Sequence, residues 1–152
     1  LLLGAGGAAK GVILPLLEQN PTSITIANRT IAKAEMLCKQ FNDARLSSCE
    51  LNHESSKAFD IIINATSASL SGSLPPLSSS VISNTTVCYD MVYAKELTAF
   101  LQWAENNSAN KILDGLGMLV GQAAESFLLW RGIKPAVEPV IAKLRSELNT
   151  ES

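Results

Sequence analysis

The sequence predicts an α/β fold, a doubly wound three-layer domain built on a mostly parallel β-sheet. Short apolar segments rich in β-branched residues alternate with longer segments whose apolar residues recur at helical spacing. One short segment, Phe59 to Asn64 (FDIIIN), is apolar through its centre, as in a strand that helices cover on both faces. Another, Leu1 to Leu3, runs straight into glycines. Such alternation is typical of βαβ units.

Local patterns predict each further element of the first half. Gly7 to Glu18 has helical apolar spacing and is followed by an Asn-Pro pair, which predicts a helix that ends there. Ser23 to Ala27 (SITIA) alternates and is β-branched, so we expect a strand. Thr30 to Phe41 is predicted to be a helix because Thr30 can cap it and apolar side chains share one face. Ala44 to Cys49 is predicted to be a weaker strand.

The second half continues the same alternation after one long connection. Ser67 to Ser80 is rich in Ser, Gly and Pro, which predicts a loop with room for one short helical turn. Beyond it, the spacing predicts two strands, at Thr85 to Met91 and Asn110 to Leu113, and three helices, at Leu97 to Asn106, Gly117 to Trp130 and Pro135 to Leu148. We expect ligands at the carboxyl ends of the strands.

The turn after the first strand matches the pattern G-x-G-x-x-A, in Gly4-Ala5-Gly6-Gly7-Ala8-Ala9. Gly4 permits the tight turn, Gly6 lets a pyrophosphate approach the backbone, and Ala9 lets the helix pack closely on the strand. The helix N-terminus adds unpaired N–H groups and a positive dipole end. Because the pattern lies between a predicted strand and helix, it predicts dinucleotide binding; a glycine turn without a ligand is the alternative.

The end of the second strand predicts which dinucleotide binds. An Asp or Glu here would bind the ribose 2′-hydroxyl of NAD, but the chain reads Ala27-Asn28-Arg29-Thr30. Arg29 offers a planar donor fork suited to phosphate, Asn28 and Thr30 can also donate, and Lys33 lies one helical turn further. The cluster therefore predicts NADP. The alternative is a solvated arginine beside a helix cap.

Composition and charge exclude several other classes. The 152 residues carry a formal net charge of -2 and no strongly basic stretch, which argues against a nucleic-acid partner. No apolar run approaches the roughly 20 residues of a membrane span. Cys38, Cys49 and Cys88 are odd in number and form no CxxC pair, which predicts neither a disulfide framework nor a metal site and fits the cytoplasm.

Three polar residues outside these motifs are weaker candidates for catalysis. His53, the single histidine, lies in a polar loop, and we interpret it as solvated. Asp90 and Asp114 each end a predicted strand, where α/β sites form. For both, helix capping or support of neighbouring residues is the preferred interpretation over direct catalysis.

Five segments occur in an order that resembles shikimate dehydrogenase, specifically its C-terminal NADP-binding domain: GAGGAAKG, ANRT, INATS, CYDMVY and DGLGMLVGQAA. The last is the most specific, whereas GAGGA followed by NRT is shared with other NADP enzymes, including glutamyl-tRNA reductase. The resemblance covers essentially the whole chain and implies one Rossmann-like domain over residues 1–152. It also implies reversible reduction of 3-dehydroshikimate to shikimate with NADPH, in the chorismate pathway of aromatic amino acid biosynthesis.

The resemblance also implies residue roles. Gly4 to Ala8 would hold the pyrophosphate, and the 2′-phosphate would be surrounded by Asn28, Arg29, Thr30 and Lys33. Thr66 would touch the cofactor, and the nicotinamide half would lie beside Met91 and Gly115. The substrate cleft would receive Tyr93 and Gln122, and Met118, which shares a helix face with Gln122, joins the cofactor-binding set.

The chain departs from the family's pattern at three positions and lacks its catalytic pair. Ser69 stands where the family usually has glycine, and prolines are common at Lys95 and Ala99, which puts the path of the loop after Thr66 in question. The family's catalytic lysine and aspartate belong to an N-terminal domain, expected upstream of Leu1 and against helices 117–148. We therefore assign no catalytic residue here and expect little turnover from the chain alone.

Several alternatives stay open from the sequence. They are a non-catalytic NADP-binding module, activity on quinate, and glutamyl-tRNA reductase-like chemistry. The expected partner is a small-molecule substrate, shikimate or 3-dehydroshikimate. The sequence does not fix the oligomeric state, and a homodimer of the full-length protein is compatible with it.

Overall fold

A computed structural model describes residues 1–150 of the chain. Within them, a six-stranded parallel sheet comprises β1 (Leu2–Leu3), β2 (Ile24–Ala27), β3 (Leu46–Cys49), β4 (Ile61–Asn64), β5 (Val87–Asp90) and β6 (Lys111–Leu113). The helices are α1 (Gly7–Glu18), α2 (Ile31–Phe41), α3 (Ala99–Asn106), α4 (Leu116–Arg131) and α5 (Glu138–Thr150). Every predicted strand and helix is present. The fold class predicted from the sequence is confirmed.

The boundaries differ from the predicted ones by a few residues at most. The fifth helix begins at Glu138 rather than at Pro135. Pro139 occupies its first turn, where a missing N–H breaks no helical hydrogen bond. The predicted loop Ser67 to Ser80 contains two short 3₁₀ turns, Ala68–Ser71 and Ser79–Val81.

The strand order is β3-β2-β1-β4-β5-β6, so the order reverses between β1 and β4. Leu3 pairs with Ala27 on one side and with Asn64 on the other, and Asn64 pairs in turn with Asp90. The carboxyl ends of these four parallel strands therefore form one continuous edge. In open α/β sheets, this reversal point is where ligands bind.

Two apolar clusters cover the two faces of the sheet. Because successive side chains of a strand point to opposite faces, Leu2 belongs to the cluster under α1 and α2, and Leu3 to the cluster under α3. Phe100 is fully buried in the latter cluster, and its ring stacks 6.0 Å from that of Trp103. Trp103 is partly buried and packs against the same cluster.

Helices α4 and α5 pack on each other beside the sheet. α4 buries a stripe of Leu116, Val120 and Ala124, whereas α5 has no fully buried residue within the described part of the chain. An ion pair between Arg145 and Asp114, with N–O distances of 2.6 and 2.7 Å, joins α5 to the start of α4. The outer side of α4 remains open, since Trp130 is 79% exposed.

Candidate functional site

A cleft of about 790 Å³ opens at the carboxyl ends of β1, β2, β4 and β5. Ten residues predicted from the sequence to bind a dinucleotide line it: Gly4, Ala5, Gly6, Gly7, Ala8, Asn28, Arg29, Thr66, Met91 and Met118. The lining also includes residues that the sequence did not indicate: Leu51, Ala65, Ser67, Ala68, Leu70, Ser71, Ser73, Leu74, Pro75, Pro76 and Val92. The glycine turn and the end of the second strand thus face one shared space.

The glycine turn has a geometry that only small residues permit. Gly4 has a φ of +104°, and a Cβ there would lie 3.0 Å from the Ala65 carbonyl oxygen. Both the backbone conformation and the lack of space therefore exclude a side chain at this position. Gly6 is the cap residue of α1 and supplies no capping side chain. A Cβ at Gly6 or Gly7 would meet no atom within 4 Å, so the space over the helix start is open.

The start of α1 is therefore suited to an anion. The first N–H groups of a helix have no acceptor within that helix, and the first turn of α1 contains no acidic residue. Ala9, in the first turn of α1, is fully buried and lets the helix lie close to the sheet, as the sequence predicted. The local arrangement matches the chemistry of a phosphate-binding helix N-terminus.

Asn28 and Arg29 form the next part of the wall, after β2. The Asn28 backbone N–H donates to Cys49 O at 3.2 Å, and its side-chain amide donates to Thr30 O at 2.9 Å, so Asn28 fixes the turn into α2. Arg29 is exposed and makes no hydrogen bond or ion pair with any described residue. It is also the one charged residue among the described residues that line the cleft. An anion that enters there meets a cation and no carboxylate.

Thr30 and Lys33 lie just outside the cleft lining, although both are exposed on the same turn. Thr30 is the cap residue of α2 by position, but its side chain makes no capping hydrogen bond. The sequence predicted the position of the cap correctly. Its hydroxyl remains available to solvent.

A buried hydrogen-bond network supports the opposite wall, which begins with Thr66. The Thr66 hydroxyl and backbone N–H both donate to Asn64 Oδ1, at 2.7 and 3.1 Å. Asn64 Nδ2 donates to Ser69 Oγ at 2.9 Å, and Ser69 Oγ donates to Asp90 Oδ2 at 2.6 Å. Asp90 also accepts from Thr98 Oγ1 at 2.6 Å. Asp90 therefore supports neighbouring groups, as its position in the sequence suggested.

Met91 and Met118 line the end of the cleft, whereas Gly115 lies behind Met91. A Cβ at Gly115 would lie 2.1 Å from Met91 O, and the Gly115 N–H donates to Val92 O at 3.2 Å. The structure thus gives Gly115 a packing role, which is to let the two segments touch. Tyr93, 39% exposed, and Gln122, also exposed, are not among the lining residues.

The remaining candidates are accounted for by local contacts. His53 is exposed in a turn. Asp114 lies one residue before the cap residue of α4, Gly115. Its Oδ1 accepts from the Leu116 N–H at 3.3 Å and it pairs with Arg145, so Asp114 supports the start of α4 without being its cap residue. The cysteines are free thiols, and burial raises the pKa of Cys88 to about 11.

The described residues form neither a cluster of metal ligands nor a helix that could span a membrane. Among residues 1–150, no three or more His, Cys, Asp or Glu side chains are grouped as metal ligands would be. No helix in that same range is long and apolar enough to cross a membrane.

One of the lining residues that the sequence analysis did not indicate, Leu51, could have been predicted from its position in the sequence. Leu51 follows β3 by two residues, so it lies at the same carboxyl-end edge as the glycine turn. The wall contributed by residues 67–76 carries no periodic signal, because its path depends on contacts with Asn64 and Asp90.

Comparisons with known proteins give concordant matches. The family model described as shikimate / quinate 5-dehydrogenase matches residues 1–72, and the model of the shikimate 5′-dehydrogenase C-terminal domain matches residues 115–145. A shikimate dehydrogenase (NADP(+)) of Colwellia psychrerythraea is 62% identical over 148 residues, which are 97% of this chain and 54% of the relative. One from Photobacterium profundum is 56% identical, over 95% of this chain and 54% of the relative.

Solved structures agree with the sequence matches. An Ael1 enzyme from Pseudomonas putida superposes with a TM-score of 0.88 at 44% identity, over 94% of this chain and 53% of that one. Shikimate 5-dehydrogenase from Thermus thermophilus, solved with NADP(H) and shikimate, gives a TM-score of 0.81 at 30% identity, over 97% and 54%. The chain spans about half the length of the curated relatives it matches. By its sequence and its fold, it belongs to the shikimate / quinate dehydrogenase family.

Proposed function

We propose that this chain is the NADP-binding part of an NADP-dependent shikimate dehydrogenase, which reversibly reduces 3-dehydroshikimate to shikimate with NADPH. One observation carries the proposal. The glycine turn and Arg29 face the same cleft, and no carboxylate is among its described lining residues. An NAD site would have an acidic residue at the end of β2. Two relatives, 62% and 56% identical to this chain, are both named shikimate dehydrogenase (NADP(+)), which supports the same assignment.

The dinucleotide is proposed to lie across the reversal point of the sheet. Residues Gly4 to Ala8 would bind the pyrophosphate through the backbone at the start of α1. Arg29 and Asn28 would bind the 2′-phosphate, and Thr30 and Lys33 would approach it from the solvent side. The open space over Gly6 and the unpaired state of Arg29 among the described residues support these roles.

The nicotinamide half is proposed to lie between Thr66 and the two methionines, Met91 and Met118, with Gly115 as the support behind Met91. Tyr93 and Gln122, which lie outside the cleft, would contact the substrate beyond it. NADPH, when bound, supplies the hydride, and the residues of this chain hold and orient the donor. We propose no proton-transferring residue in this chain; the catalytic lysine and aspartate would come from an N-terminal domain of the full-length protein.

The proposal includes the wider setting of the chain. Residues 1–152 would form one NADP-binding domain, and helices within 117–148 would pack on the N-terminal substrate domain. The exposure of Leu129 (84%) and Trp130 (79%) on α4 supports this packing. The protein would act in the cytoplasm on a small-molecule substrate, without a nucleic-acid partner, in keeping with its net charge of -2. A homodimer of the full-length protein would be compatible with this arrangement.

Nucleotide affinity tests the cofactor assignment directly. Dissociation constants for NADP and NAD are measured by calorimetry on the wild-type protein and on Arg29→Ala. The loss of charge-assisted hydrogen bonds is expected to raise the Kd for NADP about 10- to 100-fold and to leave that for NAD almost unchanged. Arg131→Ala, which removes an exposed arginine at the far end of α4, is the matched control. Equal affinity of the wild-type protein for both nucleotides would refute the assignment.

Turnover by the full-length protein tests the substrate. NADP reduction is followed by absorbance with shikimate in one series and quinate in another. We expect oxidation of shikimate, and failure with shikimate would refute the proposed reaction. Success with quinate alone would assign the chain to the other activity named in its family description.

A further inference from the structure

A single serine hydroxyl fastens the wall of the cleft that follows β4. Ser69 lies in the 3₁₀ turn Ala68–Ser71, and its Oγ donates to Asp90 Oδ2 at 2.6 Å while it accepts from Asn64 Nδ2 at 2.9 Å. Asn64 and Asp90 are fully buried at the ends of adjacent strands. The hydroxyl therefore ties a surface loop to two fixed points of the sheet.

The same carboxylate also holds the segment between β5 and α3. Thr98 Oγ1 donates to Asp90 Oδ2 at 2.6 Å and caps α3 by accepting from the Leu101 N–H at 3.3 Å. The Val92 N–H donates to Asp90 Oδ1 at 3.1 Å. If Ser69 moved away, a buried carboxylate would lose a donor and Asn64 Nδ2 an acceptor. Both losses are costly in a site of low dielectric.

Ser69 itself is not among the residues that line the cleft, although Ala68 and Leu70 on either side of it are. Its hydroxyl is fully used by Asn64 and Asp90, so it has no free donor to offer to a ligand. Any effect of Ser69 on a bound nucleotide must therefore act through the position of its neighbours.

We propose that Ser69 is a positioning residue for the dinucleotide, which fixes loop 66–73 in the conformation that lines the cleft before the nucleotide binds. This inference rests on the proposed function, because it takes NADP as the occupant. When a protein is only partly in its binding-competent conformation, the apparent Kd rises by the inverse of the competent fraction. Loss of the hydroxyl lowers that fraction without removal of a contact to the nucleotide.

Three variants of the full-length protein test the proposal. Ser69→Ala removes the hydroxyl, and Ser69→Thr keeps it. Ser80→Ala is the matched control, because Ser80 lies at the far end of the same connection, is partly buried, accepts from the Ser55 N–H at 3.0 Å and does not line the cleft. The Kd for NADP and the midpoint of thermal unfolding are measured for each variant. Hydrogen exchange of the backbone amides over residues 66–73 is measured without nucleotide.

We expect Ser69→Ala to raise the Kd for NADP by about tenfold and to speed amide exchange in loop 66–73. Ser69→Thr should keep the wild-type Kd, and Ser80→Ala should lower the unfolding midpoint with no change in Kd. An unchanged Kd and unchanged exchange in Ser69→Ala would overturn the inference, while the proposed function would survive. If the wild-type protein binds neither nucleotide, the proposed function fails and the inference fails with it.

Discussion

Gly115 is the position at which the structure predicts the sharpest effect of one added methyl group. A Cβ there would lie 2.1 Å from Met91 O and 2.6 Å from Met91 C. The backbone of Gly115, with φ -78° and ψ 0°, is open to alanine, so contact alone decides the outcome. Carbon and carbonyl oxygen ordinarily meet at about 3.3 Å or more. In Gly115→Ala the two segments must therefore separate by about 1 Å.

The expected loss of stability follows from this displacement. Overpacking of a buried site costs about 1–3 kcal/mol, and the separation also breaks the 3.2 Å hydrogen bond from the Gly115 N–H to Val92 O. That bond adds about 1 kcal/mol. Gly115→Ala should thus lower the free energy of unfolding by about 2–4 kcal/mol. Because Met91 lines the cleft, the Kd for NADP should rise as well.

Gly117→Ala, two residues further on, is the matched control for this prediction. A Cβ at Gly117 would have a single neighbour, Ile141 Cδ1, at an ordinary distance of 3.9 Å. Within α4, alanine is favoured over glycine by about 1 kcal/mol, so this variant should be more stable than the wild type. Urea denaturation followed by circular dichroism measures both changes. Equal stability of the Gly115→Ala variant and the wild type would refute the argument from contact.

Three further predictions concern other parts of the chain. Gly4→Ala should weaken NADP binding and lower the unfolding midpoint, since Gly4 has a φ of +104°; unchanged calorimetry would contradict this. Cys88, whose thiol pKa burial raises to about 11, should react with a thiol reagent only after unfolding, whereas half-exposed Cys38 should react first, as peptide mapping can determine. Hydrogen bonds from Arg45 lower the pKa of Asp43 from 3.8 to about 2, so this pair stabilises the fold above pH 3.8. The stability difference between the wild type and Asp43→Asn should therefore be complete at neutral pH and vanish as the pH falls from 3.8 to about 2.

The sequence predicted the fold well because its elements carry strong local signals. In the FDIIIN segment, Ile62 and Ile63 pack in the clusters on opposite faces of the sheet, although Ile61 is 52% exposed. The helix from Gly7 to Glu18 has the pattern of burial on one face. The start of the last helix was less well defined. The helix begins at Glu138 rather than at the predicted Pro135. Pro135 and Pro139 both lie near this boundary, and a proline is compatible with the first turn of a helix at either position.

The sequence predicted part of the cleft lining. The glycine turn and Asn28-Arg29 were found because each follows a strand directly, and parallel strands bring their ends to one edge. The wall formed by residues 67–76 was missed, since its path depends on Asp90, which is 21 residues away from Ser69 in sequence. Gly115 was expected beside the cofactor, whereas its buried contact with Met91 could not be read from the chain alone.

The two-residue strand β1 makes the phosphate-binding turn and both cores interdependent. Leu2 and Leu3 face opposite sides of the sheet, and Gly4 follows without an intervening residue. Insertion or deletion of one residue here would move each leucine to the opposite face of the sheet. It would also shift the glycine turn by one residue along the strand. The spacing between Leu2 and Gly4 is therefore constrained by both apolar clusters and by the glycine turn at the same time.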